Sequence, residues 1–408
     1  MSVKFIEGGV CAARGFKAAG IHCGVRPNKS KNDLAVIASD AECAAAGLFT
    51  TNRVKAAPVQ LDIETVRAGR AQAVAANSGN ANACAPEGGE NALRMRAALA
   101  KALNIPEGEA LVSSTGVIGQ RLNIEAIEAG LPAAVAALSA DPAGSDAAAS
   151  AIMTTDTKKK EFACSFELAG RTVTLGGIAK GSGMIHPNMG TLLCYLTTDC
   201  AISPEMLKKA LKAACAVTFN RISVDGDTST NDSLIALANG LAGNPAIVAE
   251  GADYEAFLAA LTAVCTALAR AMAADGEGAK HLMTCAVSGA ATDAQAETLA
   301  KSVVGSTLTK AAIFGCDANW GRVLCALGYS GAELDPEKVD IIFKSAAGSV
   351  AMCRRGRGLD FDEALAKRVL TEPEVEILVS VGQGSGSAVC WGCDLTYDYV
   401  RINGDYRT

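Results

Sequence analysis

The most chemically suggestive stretch of the chain is residues 180–193, where a glycine-rich run meets an apolar, β-prone sequence at the Gly190–Thr191 bond. A strained, cleavable peptide bond could lie at such a junction. A threonine at a new chain start carries its own α-amine, whose pKa of about 8 lets it take the hydroxyl proton at neutral pH. Thr191 would then supply both nucleophile and base. On spacing alone, a β-turn that leads into a strand explains the same residues more simply.

His186 lies five residues before Thr191 and is a second candidate base, because imidazole titrates near neutral pH. The chain contains only three histidines, and the α-amine of Thr191 can fill that role. We therefore expect His186 to be a solvated or loop-packing residue.

Predicted strands lead to another pair of candidate residues, at positions 115–116. Residues 71–76 are predicted to form a short buried strand that ends in a turn cluster at residues 77–80. A helix over residues 90–103 and a strand over residues 110–114 follow. That strand delivers residues 115–116 at its end.

Helical and extended patterns alternate through the rest of the chain without a repeat of fixed period. The pattern predicts a tight hairpin of residues 165–168 and 171–175, and a strand over residues 192–198. Helices are predicted over residues 203–217, with a Ser-Pro-Glu start signal, and over residues 254–273. We therefore expect a layered, mixed α/β fold.

The composition is that of an ordinary soluble globular protein. At 408 residues the chain exceeds the size at which one core stops growing, so two packed domains or one large layered α/β body are expected. Half of the residues are apolar but only 4% are aromatic, so the interior must consist mainly of Ala, Val, Leu and Ile.

Charge and hydropathy point to small molecules as partners. The net charge of -6 is spread along the chain without a basic stripe, which argues against a nucleic acid or an anionic membrane surface. The start of the sequence has no apolar stretch of signal-peptide length. The most apolar uncharged run, residues 256–269, stops at Arg270, short of a membrane span. We expect the protein in the cytoplasm.

Fifteen cysteines are scattered along the chain, with a single CxxC pair, Cys390 and Cys393, and no second pair to complete a zinc site. No helix N-terminus is indicated around this pair, which disfavours a redox role. We expect the cysteines to be reduced thiols in the core.

Short motifs of one known family occur in order along the whole chain. They are residues 39–40, 47–52, 54–59, 77–82, 113–119, 152–157, 180–191, 223–232, 275–279, 319–322, 391–396 and 402–408. Through these motifs the chain resembles, end to end, the ornithine acetyltransferase family, also called glutamate N-acetyltransferases.

The resemblance implies a self-processing enzyme of the N-terminal-nucleophile type. Autocatalytic cleavage before Thr191 would give an α chain of residues 1–190 and a β chain of residues 191–408 that stay associated. Thr191 would attack the acetyl carbonyl of N-acetylornithine, ornithine would leave, and glutamate would take the acetyl group from the threonine ester. This is a ping-pong cycle.

The resemblance also assigns site residues. The oxyanion hole maps onto the Thr115 hydroxyl and the Gly116 backbone N–H, at the end of a predicted strand. The substrate-binding residues that it implies are Thr154, Lys180, Thr191, Glu277, Asn403 and the C-terminal Thr408.

The charges in this set suit an amino-acid ligand. Lys180 suits a substrate carboxylate and Glu277 suits the ornithine ammonium group, although surface exposure is the default for both residue types. Thr155 and Thr157 lie in the same run as Thr154, and the sequence leaves open which hydroxyl faces the site.

Two residues depart from the family's usual pattern. Gly190 stands where the family more often has alanine, and glycine is compatible with cleavage because it can adopt the positive φ that strains a peptide bond. His186 stands where the family usually has a small apolar residue.

No metal or organic cofactor is predicted, because covalent threonine catalysis needs only a base and oxyanion donors. The sequence leaves open whether acetyl-CoA is also an acetyl donor. From the family we expect an (αβ)2 heterotetramer, with an active site where the α and β halves meet. Two alternatives remain: a self-processing aminopeptidase of similar fold, and an uncleaved amino-acid-binding subunit.

Overall fold

The computed structural model describes residues 3–186 and 192–405. Gly190, Thr191 and Thr408, to which the sequence assigned cleavage and substrate binding, lie outside the described residues. The described residues form two compact units: residues 3–181, 192–220 and 228–269 in the first, and residues 182–186, 221–227 and 270–405 in the second.

The first unit is built on a mixed β-sheet. Its described strands are β1 (Lys4–Ile6), β2 (Phe16–Ile21), β3 (Leu34–Phe49), β4 (Arg70–Asn80), β5 (Ala110–Val117), β6 (Lys160–Leu168), β7 (Arg171–Lys180) and β8 (Leu193–Thr198), followed, after the short β9 (Ile222–Ser223) of the second unit, by β10 (Ser233–Ala238). The strand order is β1-β6-β7-β8-β10-β3-β4-β5, and β2 also pairs with β3. The β8–β10 and β4–β5 pairs are parallel.

Strand β8, which follows position 191, pairs antiparallel with β7, which precedes it. The first unit therefore contains residues from both sides of position 190. The compact units do not coincide with the predicted α and β chains, because sheet pairing joins the two segments. Cleavage between residues 190 and 191 stays a prediction.

Helices cover both faces of this sheet. They are α1 (Ala57–Thr65), α2 (Gly88–Leu103), α3 (Ile124–Ala136), α4 (Pro142–Ile152), α5 (Pro204–Val217) and, up to residue 269, α6 (Ala252–Ala274). Side chains alternate along a strand, so Ala35 and Ile37 of β3 share a core with α4 on one face. Leu34 and Val36 share a second core with α2 and α3 on the other face. The expected layered α/β arrangement is confirmed.

The second unit has its own sheet and core. Its remaining strands are β11 (Leu282–Ala290), β12 (Asp340–Ser345), β13 (Gly348–Arg354), β14 (Arg357–Gly358), β15 (Glu374–Ser380) and β16 (Gly386–Cys393), and the strand order is β14-β13-β12-β15-β11-β16-β9. Its helices are α7 (Asp293–Gly305), α8 (Thr307–Phe314), α9 (Trp320–Gly328), α10 (Glu363–Thr371) and α11 (Tyr397–Gly404). Alternate residues of β11, Met283, Cys285 and Val287, lie in a core shared with α7 and α10.

Most predicted elements are confirmed, and one is wrong. The predicted turn at residues 77–80 is part of β4, which pairs with β5 as far as Asn80. Its polar side chains are satisfied inside the sheet, since Asn77 donates to the Asn80 carbonyl and accepts from the Ser114 hydroxyl. Gly79, with a φ of +100°, lies next to a register irregularity. The turn-forming residues therefore shape a bulge and do not end the strand.

Helix α6 is long and apolar enough to cross a membrane by length and composition alone. Phe257, Leu261, Val264 and Leu268, however, are at most 1% exposed. Phe257 packs against the Phe166 ring of β6 with centroids 6.4 Å apart. This is the pattern of a core helix in a soluble protein; a cytoplasmic location stays a prediction.

The cysteines are all free thiols, and eleven of the fifteen are buried, as expected. Cys84 and Cys325 are exposed, so the expectation of core thiols is wrong for these two. Cys390 and Cys393 are buried in β16, without the helix N-terminus that a redox CxxC needs.

A buried carboxyl group joins α1 to β5. Both oxygens of Asp62 accept the Val112 N–H, at 3.0 and 3.3 Å. Burial raises the pKa of Asp62 well above its usual value, against smaller opposing effects of the Val112 hydrogen bond and the Arg96 charge. A carboxyl whose pKa is raised by folding loses its contribution to stability as the pH rises above the unfolded-state pKa.

We predict that Asp62→Asn, which keeps an acceptor oxygen but cannot ionise, raises the thermal midpoint by an amount that grows between about pH 4 and pH 8. Thermal unfolding of both proteins across this range measures the effect. Glu64→Gln, at an exposed position of the same helix, is the control and should show no such trend. A midpoint difference that is independent of pH would contradict the prediction.

Candidate active site

Thr115 and Gly116 lie in the last turn of sequence of β5, as predicted. Gly116 has a φ of +137°, and a Cβ atom there would lie 2.3 Å from the backbone carbon of Gly79. Glycine is therefore required at this position for steric reasons alone. Thr115 is 8% exposed, and its hydroxyl oxygen accepts a hydrogen bond from Lys180 Nζ at 3.3 Å.

Lys180 is the last residue of β7, and a buried carboxylate organises the chain around it. Asp156 Oδ1 accepts from the Gly181 N–H and from Lys160 Nζ, both at 2.7 Å. Its Oδ2 accepts from the Thr154 N–H at 3.0 Å. Asp156 thus holds two segments that carry predicted substrate residues, Thr154 and Lys180.

The charge of Asp156 is maintained by its neighbours. Burial alone would raise the pKa of this carboxyl, but the positive charges of Lys160 and Lys180, with the hydrogen bonds from Lys160 and Gly181, lower it to about 2. The Lys160 and Asp156 side chains are at most 1% exposed, so the pair is a buried ion pair. Such a pair is costly to break from one side.

A second buried carboxyl, Asp232, immediately precedes β10. In the parallel β8–β10 pair Ser233 lies opposite Leu193, and the Ser233 N–H donates to the Leu192 carbonyl at 2.8 Å. Asp232 therefore lies beside the start of β8. Burial raises its pKa well above the usual value, opposed by a hydrogen bond from Ser229 and by the Lys180 charge.

In the second unit, Glu277 lies in a loop between α6 and β11. It is 7% exposed, and its Oε2 accepts from Asn403 Nδ2 at 2.6 Å. Among the described residues it makes no ion pair, so its printed side-chain partner is neutral. A buried carboxylate with a neutral partner is a suitable site for a ligand cation.

The loop that carries Glu277 is fixed by the residues after β16. Asp394 Oδ1 accepts from the N–H groups of Lys280 and His281, at 2.8 and 3.1 Å. Its Oδ2 lies 2.8 Å from His281 Nδ1. The Thr396 hydroxyl donates to the Gly278 carbonyl at 2.8 Å.

His186 is a packing residue in the second unit, in agreement with the expectation. Its Nδ1 lies 3.0 Å from the Ser223 hydroxyl, and burial, with the nearby Lys301 charge, lowers its pKa.

The structure brings together two groups of predicted residues. In the first unit Thr115, Gly116, Thr154 and Lys180 lie around Asp156, and in the second unit Glu277 and Asn403 are in contact. Thr155 is half-buried like Thr154, whereas Thr157 is exposed. Gly190, Thr191 and Thr408 are outside the described residues, and the roles of all these residues stay predictions.

Sequence reasoning missed several aspartates. Asp156, Asp225 and Asp394 each lie in a motif of the resemblance, but only tertiary contacts reveal which backbone N–H groups they bind. Asp225 does accept from the Asp227 N–H at 3.2 Å, which is the Asx turn that a Asp-Gly-Asp sequence favours. In the described part of the chain, no three His, Cys, Asp or Glu residues are grouped to hold a metal ion.

Comparison with known proteins gives a consistent result. The ArgJ family model matches residues 17–408. Over 408 residues the chain is 52% identical to the arginine biosynthesis bifunctional protein ArgJ of Symbiobacterium thermophilum, covering 100% of both chains. A solved ArgJ structure from Bacillus halodurans is 45% identical and covers 52% of this chain and 97% of its own, with a TM-score of 0.49. Ornithine acetyltransferase of Mycobacterium tuberculosis complexed with ornithine is 38% identical, covering 47% and 100%, with a TM-score of 0.43.

The lowered pKa of Asp156 leads to a prediction on stability. A carboxyl whose pKa is lowered by folding contributes stability above its unfolded value near 4 and loses it as the pH falls toward 2. Asp156→Asn should therefore cost about 2 kcal/mol of stability at pH 7, with a much smaller cost near pH 3. The thermal midpoint at the two pH values measures this.

The matched control for this substitution is Asp146→Asn, which removes an exposed carboxylate paired with Lys159. It should change the midpoint little, because exposed ion pairs contribute little. Equal losses at pH 7 and pH 3 for Asp156→Asn would show that the charge of Asp156 is not what stabilises the fold.

Proposed function

This chain belongs to the ArgJ family, and on that premise we propose that it transfers an acetyl group from N-acetyl-L-ornithine to L-glutamate in arginine biosynthesis. The observation that carries the proposal is the family match over residues 17–408, together with a relative named for arginine biosynthesis that aligns over its whole length. The resemblance drawn from the sequence motifs is thereby confirmed at the level of the family. The grouping of Thr115, Thr154 and Lys180 supports the proposed chemistry.

Thr191 is the proposed nucleophile, freed by hydrolysis of the Gly190–Thr191 bond. Its hydroxyl oxygen attacks the acetyl carbonyl while its α-amine takes the hydroxyl proton. The amide bond of N-acetylornithine breaks, the proton passes to the departing ornithine amine, and an acetyl ester remains on Thr191. The α-amine of glutamate then attacks this ester, so that no water is consumed in the transfer.

The oxyanion formed in both steps needs donors in fixed positions. We assign this role to the Thr115 hydroxyl and the Gly116 N–H. Because Lys180 Nζ donates to the Thr115 oxygen, the hydroxyl proton of Thr115 remains available to donate to another acceptor. A nearby cation also strengthens the hydroxyl as a donor.

The substrate is an amino acid with charges at both ends. Lys180 is proposed to bind its carboxylate and Glu277 the side-chain ammonium of ornithine, with Thr154, Asn403 and Thr408 as neutral partners. The contact of Glu277 with the neutral Asn403 amide supports this assignment, since a neutral partner leaves the carboxylate charge for the ligand.

The mature protein is proposed to be an (αβ)2 heterotetramer of chains 1–190 and 191–408 in the cytoplasm, active without a metal or organic cofactor. The word "bifunctional" in the relatives' names supports a second reaction, and we propose acetylation of glutamate from acetyl-CoA. The same threonine ester would serve, with the thiol of CoA as the leaving group.

Self-processing is the first prediction from this function. The wild-type protein should give two masses, of chains that begin at Met1 and at Thr191, and Thr191→Ala should remain one chain without acetyl transfer. Intact mass spectrometry and assay of N-acetylglutamate formation measure the two outcomes. An uncut, active wild-type enzyme, or hydrolysis of peptides without acetyl transfer, would refute the proposal.

Ornithine recognition gives a second prediction. A Cβ atom at Gly183 would lie between 2.3 and 2.5 Å from the carboxylate atoms of Glu277, so Gly183→Ala must displace that carboxylate. We expect the KM for N-acetylornithine to rise at least about tenfold, which corresponds to about 1.4 kcal/mol of lost binding. Gly328→Ala is the control, because a Cβ atom there meets no atom within 4 Å. A KM equal to that of the wild type would remove Glu277 from the substrate site.

A further inference from the structure

The five residues 182–186 immediately precede the segment that contains the predicted scissile bond, and they are bound within the second unit by one carboxylate. Asp225 Oδ2 accepts from the Met184 N–H at 2.6 Å, and its Oδ1 accepts from the Ile185 N–H at 2.8 Å. In return, the Val224 N–H donates to the Ile185 carbonyl at 2.7 Å. Two successive N–H groups on one anion form a rigid attachment.

The backbone of this segment is not in a conformation that it would adopt by itself. Met184 has a φ of +54°, in the left-handed region that costs a non-glycine residue about 1 kcal/mol or more. Surrounding contacts must therefore hold it. Because the strained residue directly precedes Ile185, both N–H groups point to the same acceptor, and Asp225 is that acceptor.

Other contacts hold the two ends of residues 182–186. The Ser182 carbonyl accepts from the Glu277 N–H at 2.9 Å, and His186 lies against the Ser223 hydroxyl. Ser223 and Asp225 belong to the same short stretch of chain. Residues 182–186 are therefore attached at the beginning, the middle and the end.

Asp225 also connects this segment to α11. The Tyr399 hydroxyl donates to Asp225 Oδ2 at 3.3 Å. Asn403, one turn later in α11, donates to the Tyr399 carbonyl at 3.0 Å and to Glu277 at 2.6 Å. A closed ring of hydrogen bonds thus joins the segment, Asp225, α11 and the proposed ornithine-binding carboxylate.

From these contacts we propose that Asp225 is a positioning residue for self-processing: it fixes residues 182–186 so that the bond after residue 190 is presented for attack. The inference rests on the proposed function. In the cleavage, the Thr191 hydroxyl attacks the carbonyl of residue 190, the C–N bond breaks and an ester forms; one water then hydrolyses the ester. A carboxylate on Gly190 and a free α-amine on Thr191 result.

The physical reason for such an attachment is the cost of orientation. An intramolecular attack is fast only when the reacting atoms are held close to the attack geometry, and a small misplacement lowers the rate by orders of magnitude. In the sequence only residues 187–190 separate His186 from the predicted bond. Asp225 acts through the N–H groups of Met184 and Ile185, which is why its role is one of positioning.

The test is a time course of cleavage in the purified full-length protein, followed by intact mass. Asp225→Asn keeps the size of the side chain but replaces one acceptor oxygen by an NH2 group that faces a donor. We expect its cleavage to be at least about tenfold slower than that of the wild type. Asp225→Glu keeps both acceptor oxygens and should recover part of the rate.

Two further variants separate the hydrogen bonds from other effects. Asp227→Asn removes the same charge from an exposed position in the same turn, and it should be cleaved at the wild-type rate. Tyr399→Phe leaves both bonds to residues 184 and 185 in place; it should also be cleaved at the wild-type rate, while the KM for N-acetylornithine rises through α11.

The outcomes are distinct. Cleavage of Asp225→Asn at the wild-type rate, or equal slowing by Asp227→Asn, overturns the inference and leaves the proposed function intact. If Asp225→Asn does not fold, Asp225→Glu decides: a fully wild-type rate with this longer side chain shows that the geometry of the attachment is irrelevant and also overturns it. A wild-type protein that never cleaves refutes the proposed function itself.

Discussion

Hydrogen bonds from backbone N–H groups to buried or half-buried aspartates hold most of the chain segments that carry predicted site residues. Asp62 binds β5 two strand positions before Ser114, Asp156 binds the Thr154 and Gly181 N–H groups, and Asp394 binds the loop after Glu277. Asp225 binds the segment that follows Gly181. Irregular backbone near a site leaves donors that no sheet or helix satisfies, and a carboxylate can accept several of them at once.

These carboxyls differ in charge, and the difference follows from their surroundings. Asp156 has Lys160 and Lys180 beside it, so the two cations outweigh burial and its pKa falls. Asp62 and Asp232 are as deeply buried without a cation in contact, and their pKa values rise. The first unit therefore contains one firmly ionised carboxylate next to Lys180, and the net charge around that lysine depends on which aspartate is removed. This is why Asp156 affects stability and the electrostatics of the site together.

Local chemistry was sufficient to predict several elements from the sequence. Ser203 caps α5 by accepting from the Met206 N–H, and Ala169 and Gly170 both have the positive φ of a tight hairpin turn. The sequence also predicted that Thr115 and Gly116 end a strand. The turn expected at residues 77–80 failed because Asn77 and Ser114 satisfy each other across two strands. Contacts of this kind join residues far apart in the chain, and no local pattern reports them.

The same limit explains the division of the chain, and it has a consequence for processing. If the bond between residues 190 and 191 is cut, the β-chain strands β8 and β10 remain between the α-chain strands β7 and β3. Each of these two junctions contains six paired residues, and every residue of β8 and β10 is buried. Separation of the chains would expose both faces of two strands and two new sheet edges, at a large cost in apolar surface and unpaired N–H groups. One sheet shared by both products therefore keeps them together after cleavage, without any need for a separate interface.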